Sequence, residues 1–473
     1  MKPDDQHPDY NKFLPVWTKC RDAADGERAI KSKGAAYLKP LAGQIEGKDE
    51  TAYNSYLDRA SYFNATGRTV ETMSGLVFRK QMTKTIPNSL KEWLNDITLS
   101  DETLTEFAQS LIVEDVVTGR CGILVEQPPV PNAPLTIAAK QALGSRPYFV
   151  LYKTESIRNW KYKRINNRYI LANIWLGETY EDDEGEIKDQ IRQLTLDTGV
   201  YQQLIWRKPA TGWQIVETIT PLKNGAPLPE IPFFPIAPQK PKLDIVAPPI
   251  ESLADVNISH YKNSADLENG VHISGMPTAY ITGVDDTDDN GNKSVIYLGS
   301  STILTLPKDA TAGFLQCGSE GFASLEKAMD RKEQQMAALG ARMLSPEKKE
   351  AEAAETHEIK RGGENSVLAT IAGVVERQLT KALQFAADWE GIDGEIAIEL
   401  NKDYIPVTFT GADLTAWVAA RQAGEISKET LFNVLKYSEW LPDDTTFEEE
   451  QARIDEDGPP LGSLTNEGGD GAE

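Results

Sequence analysis

The chain has 473 residues, 40% hydrophobic and 26% charged, with 49 Lys plus Arg against 72 Asp plus Glu and a formal charge of −23. That balance argues against a broad basic face for nucleic acid, whose affinity comes from phosphate neutralisation and counterion release. No run reaches the eighteen or so apolar residues of a membrane span, and the length fits about three structural units or one elongated subunit.

The opening MKPDDQHPDY has no basic region followed by an apolar core, so a secretory signal is not expected. Cys20, Cys121 and Cys317 are far apart and lack metal spacing, which points to a reduced, cytoplasmic folding environment. From Ala52 to Lys80 the residues Tyr53, Tyr56, Leu57, Ala60, Phe63, Val70 and Val77 form one helical stripe, with a break expected near Gly67. A second helix is expected after Ser100 as N-cap, with Asp101 and Glu102 in its first turn and Gly119 at its end; Cys121 to Val125 then reads as a buried strand.

Between Pro147 and Pro221, segments rich in Tyr, Trp, Ile and Leu alternate with turn signals at Asn166-Asn167, Asp182 to Gly185, Asp197 to Gly199 and Ala210 to Gly212. This predicts an antiparallel meander of about five strands. The segment Asn224 to Pro249 holds eight prolines and predicts a rigid extended connection. Glu251 to Val271 reads as helix, and Pro277 to Leu306 as short strands about an acidic turn.

From Glu320 to Leu344 the residues Phe322, Leu325, Met329, Met336, Leu339 and Met343 make a heptad seam, with Lys332 at a core-type position. The helix would reach roughly 37 Å at 1.5 Å per residue, and it packs either on copies of itself or within one subunit. A mixed-charge stretch follows, with Lys348, Lys349, Lys360 and Arg361 among Glu347, Glu350, Glu352, Glu355 and Glu358. It reads as a solvated helix face or as a loop that meets a polyanion transiently. Ile396 to Thr410 has strand character, and Asp413 to Tyr437 holds two short helices broken near Gly424, with Ser427 capping the second. From Asp443 to Glu473 eleven acidic residues face one basic one, Arg453, and disorder is expected.

Catalytic patterns are weak. Asp286, Asp288, Asn290 and Gly291 open like an EF-hand loop, but Tyr297 stands where a bidentate Glu is required. The four histidines, His7, His260, His272 and His357, are scattered, and there is neither a phosphate-binding loop nor a nucleophile elbow. No enzymatic activity, metal or cofactor is expected. A competing reading is a metal-dependent hydrolase or nuclease using dispersed carboxylates, and another is an adaptor within a larger assembly.

Three phrases carry a resemblance: YLDRASYFNATGRTV from Tyr56 to Val70 running into GLVFRK from Gly75 to Lys80, DVVTGRCGILV from Asp115 to Val125, and the helix from Asn365 to Trp389. Together they resemble the portal, or head-to-tail connector, proteins of tailed bacteriophages. The resemblance implies an α+β, elongated subunit with a wing at 1–250, a first stem helix at 251–274, a β-rich clip at 275–318 and a second stem helix at 319–344. It further implies a tunnel loop at 345–366, a long helix with returning strands at 367–409, a small helical crown at 410–442 and an acidic disordered tail at 443–473. By the same resemblance the subunit forms a ring, typically a dodecamer, at the capsid vertex of the virion after assembly in the host cytoplasm. Double-stranded DNA passes through its channel, past Lys348, Lys349, His357, Lys360 and Arg361. Terminase motor, capsid and head-tail adaptor proteins are its implied partners, and the Phe322 to Met343 seam its implied oligomer contact.

Overall fold

The computed structural model describes residues 2–41, 44, 50–128, 145–165, 167–223, 225–275, 278–283, 308–315, 320–342, 366–404, 411–438, 440–442 and 445–457. It opens with α1 (Pro8–Asp25), absent from the expected elements, in which Pro8 occupies the tolerant first turn and His7 accepts from the Asp9 amide. Helix α2 (Glu27–Ser32) follows after Gly26. The expected helix over 52–80 is two, α3 (Glu50–Arg59) and α4 (Ala65–Val77). The break lies before Gly67, because Asn64 accepts from the Gly67 amide and caps α4. Gly67 serves the close approach instead: a Cβ there would lie 2.4 Å from the Ala24 carbonyl oxygen.

Strand β1 (Thr83–Thr85) precedes a 3-10 stretch at Asn88–Asn95, and α5 (Leu104–Thr118) begins three residues later than a Ser100 cap requires. Leu99 and Asp101 have φ of 59° and 60°, and Thr103 with Glu106 forms a reciprocal capping box that sets the start. Gly119, at φ 70°, ends α5 as expected, and β2 (Cys121–Glu126) is buried along its whole length. Strand β3 (Tyr148–Lys153) pairs with it.

The meander is a five-stranded antiparallel sheet in sequence order: β4 (Ile157–Ile165), β5 (Arg168–Glu181), β6 (Ile187–Thr195), β7 (Gln202–Arg207) and β8 (Gln214–Ile219). A small ribbon of β9 (Leu222–Lys223) and β10 (Ala226–Pro227) follows. The proline-rich connection contains a strand that was not expected, β11 (Phe233–Ile236), which pairs with the other side of β2. Pro235 is accommodated because β11 is an edge strand, and the Gln378 amide donates to its carbonyl at 2.8 Å.

The remaining helices are α6 (Glu251–Gly275), α7 (Glu320–Arg342), α8 (Val367–Glu390), α9 (Gly411–Gln422), α10 (Lys428–Tyr437) and α11 (Phe447–Asp457). Strands β12 (Thr278–Thr282) and β13 (Thr311–Leu315) form a ribbon between α6 and α7, and β14 (Ala397–Glu399) pairs with β1. The main core lies where α8 and α5 meet the β11–β2–β3 sheet, with Leu111, Ile123, Val374, Leu379 and Leu383 fully buried. Arg120, also fully buried, sits between the Trp17 and Trp160 rings and donates to the carbonyls of Thr154, Ile157 and Leu243.

The mixed α+β character matches expectation. Disorder across 443–473 is corrected at 447–457, where α11 forms: the Glu449 amide donates to Thr446 Oγ1, the Glu449 carboxylate accepts from the Thr446 amide, and Phe447 meets Phe432 edge to face at 5.6 Å. Residues 458–473 lie outside the described residues.

Candidate assembly surface

Helices α6 and α7 run antiparallel: Lys332 Nζ donates to the Ser259 carbonyl at 2.9 Å, His260 Nε2 is 3.2 Å from Glu333 Oε1, and Phe322 covers Gly270. A Cβ on Gly270 would stand 2.5 Å from Phe322 Cε1, so the glycine admits the ring. The heptad stripe is therefore engaged inside the subunit at Phe322, and at Met336, which is buried beside α4. Leu325, Met329 and Leu339 are half-buried, and Met343 lies outside the described residues. Lys332 tolerates its core-type position because its head reaches a backbone carbonyl; burial, with Lys262 adding, lowers its pKa.

The root of α6 is fixed by Asn257, a poor helix former at a fully buried helical position. Its Oδ1 accepts from Tyr62 Oη at 2.9 Å, the Thr66 amide at 3.0 Å and Thr66 Oγ1 at 2.8 Å, while Nδ2 donates to the Phe63 carbonyl at 2.7 Å. Around it Ile30, Tyr56, Tyr62, Ile258, Tyr261 and Ala265 form a second apolar cluster. Farther along, Tyr56 Oη donates to Asp266 at 2.6 Å and Arg59 to Asn269 at 3.2 Å. Beyond that point Val271, Ile273, Tyr280 and Phe314 are exposed.

A cleft of about 400 Å³ opens between α4 and the end of α7, lined by Phe63, Arg68, Thr69, Met336, Ala337 and Gly340. The expected channel residues Lys348, Lys349, His357, Lys360 and Arg361 lie outside the described residues, as do the EF-hand-like turn and Cys317. Among the described residues one acidic trio converges, Asp182, Glu184 and Glu186, on the exposed β5–β6 turn. Asp182 accepts from the Glu184 and Glu186 amides and pairs with Lys188, contacts that lower its pKa and fasten the turn.

A family model described as "Domain of unknown function (DUF4055)" matches residues 249–390, the stretch from α6 through α8. The chain is similar to a chain of the neck of an empty gene transfer agent (GTA) particle computed with C6 symmetry, at 12% identity and a TM-score of 0.40, covering 82% of this chain and 94% of that one. It is also similar to a chain of the native GTA virion, at 13% identity and TM-score 0.38 over 84% and 94%, and to one of the native GTA neck with C12 symmetry, at 11% and 0.35 over 82% and 93%. No curated protein sequence matches.

Asn257 was missed in the sequence, though an amide in the apolar register of a long helix was a usable signal. Its partners at 62–66 were not legible, because nothing local links them to position 257.

Proposed function

We propose that this chain is a subunit of a ring-forming phage portal: a structural conduit for DNA packaging and ejection, and the attachment point for motor and tail. The observation that carries the reading is the path of the chain. It leaves the α/β body along α6, passes through the β12–β13 ribbon and returns along α7 to α8, matching the wing, stem, clip, stem order implied by the portal-like phrases. The polar clamp at Asn257 makes the helix pair a fixed extension of the body. The chain works by assembly and has no catalysis of its own.

On this reading residues 345–366 meet the passing DNA, and the −23 charge on each copy disfavours lasting adhesion. Deleting the gene from a phage genome should leave heads without DNA, with packaging restored by the intact chain supplied in trans. Filled heads in the deletion would contradict the proposal. Neutralising Lys348, Lys349, Lys360 and Arg361 together should impair packaging or retention.

A further inference from the structure

The acidic excess is unevenly spread. From Ile157 to Gly177 the chain carries Arg158, Lys161, Lys163, Arg164 and Arg168, and not one Asp or Glu. This stretch is β4 and the first half of β5, with Asn167 at φ 62° in the turn. Lys161, Lys163, Arg164 and Arg168 are exposed, and Arg164 lies across from Tyr169, itself 76% exposed. Lys161 and Lys163, two residues apart on a strand, border the same recess with Trp175 and Trp206.

The neighbouring strand pair shows how this sheet balances charge. Between β5 and β6, Glu178 meets Arg192, and Asp182 meets Lys188. Within Ile157 to Gly177, the only ion pair among the described residues joins Lys163 to Asp197. Across the ribbon Lys161 faces Asn173, Arg164 faces Tyr169 and Arg168 faces Ile165, so no cation meets an opposite charge on the neighbouring strand and these charges stay available to an external anion.

We propose that the β4–β5 ribbon is a docking surface for the phosphate backbone of double-stranded DNA, distinct from residues 345–366 and independent of ring formation. Arg164 and Arg168 bring planar forks suited to phosphate oxygens. Over residues 162–165 and 168–171, beyond the stretch where β6 pairs with β5, the hairpin tip is two-stranded, and such a ribbon fits the width of a DNA major groove. The chain's other charges keep this contact local and salt-sensitive.

The test uses the full-length protein and a fluorescent 20-base-pair duplex, with anisotropy read across a salt series. A Lys161→Ala, Arg164→Ala, Arg168→Ala variant is expected to bind at least tenfold more weakly at low salt. Its log K against log salt slope should be shallower by roughly two to three, at about 0.9 per lost phosphate contact. A control removing Lys91, Lys240 and Lys428, which are exposed elsewhere, should bind as wild type does. Because the three replaced side chains are exposed, circular dichroism should be unchanged. Equal losses in variant and control, no loss in either, or a wild-type protein that binds poly-glutamate but ignores the duplex would each overturn the proposal.

Discussion

Asn257→Ala should loosen the helix pair from the body more than any other single truncation on α6. The substitution removes four hydrogen bonds and leaves the Thr66 amide and the Phe63 carbonyl without their side-chain partner in a buried site. At about 1–3 kcal/mol per buried orphan, with a small cavity adding to it, the cost comes to about 3–5 kcal/mol. Tyr62 retains its bond to the Ala23 carbonyl, which holds the total at that level. Hydrogen exchange read by mass spectrometry reports local opening directly. Peptides from the first half of α6 and from α4 should lose roughly a hundredfold or more in protection, at 1.4 kcal/mol per tenfold, while those from α5 should change little. Asn257→Asp sharpens the test: it keeps shape and acceptor but sets a carboxylate oxygen against the Phe63 carbonyl. An Asn257→Ala protein with protection within twofold of wild type throughout α6 would refute the clamp.

Asp115 is fully buried, and neither carboxylate oxygen has a hydrogen-bond partner among the described residues; burial, with Glu114 adding, raises its pKa well above 3.8. A raised acid stabilises fully below its unfolded pKa and loses that contribution as pH climbs through the folded value. Wild type should therefore weaken relative to Asp115→Asn by up to about 1.4 kcal/mol per pH unit above pH 4, and parallel denaturation midpoints from pH 4.5 to 7.5 would contradict this. Gly270→Val should displace Phe322 and cost about 1–3 kcal/mol, with partial rescue by Phe322→Ala in a thermal melt; no rescue would mean the ring is not the obstacle. Phe432→Ala should speed limited proteolysis within 447–457 by removing the edge-to-face contact with Phe447, and an unchanged cleavage pattern would show that α11 stands without it.

Local chemistry was the most legible part of the sequence. Gly119 ends α5, Ser427 caps α10 through the Thr430 amide, and the Asp/Asn/Gly turns divide β4 to β8 where expected, because each signal acts within a few residues. What was hidden depends on distant partners. Helix α1 combines mixed polarity with an internal Pro15, and its Trp17 and Cys20 are buried only by tertiary packing. Strand β11 sits inside a proline-rich stretch and exists because β2 offers it an edge. The heptad stripe announced a long helical partner without saying that Gly270 of the same chain makes room for Phe322. Net charge masked the acid-free run from Ile157 to Gly177, which a local count displays at once.

The central claim is assembly into a ring, and negative-stain electron microscopy of the purified full-length protein, with light-scattering mass on the same fraction, tests it most directly. The account predicts rings with a central hole and a mass near twelve subunits of 52.3 kDa. A discrete dimer or tetramer without a hole, persisting as concentration rises, would contradict it.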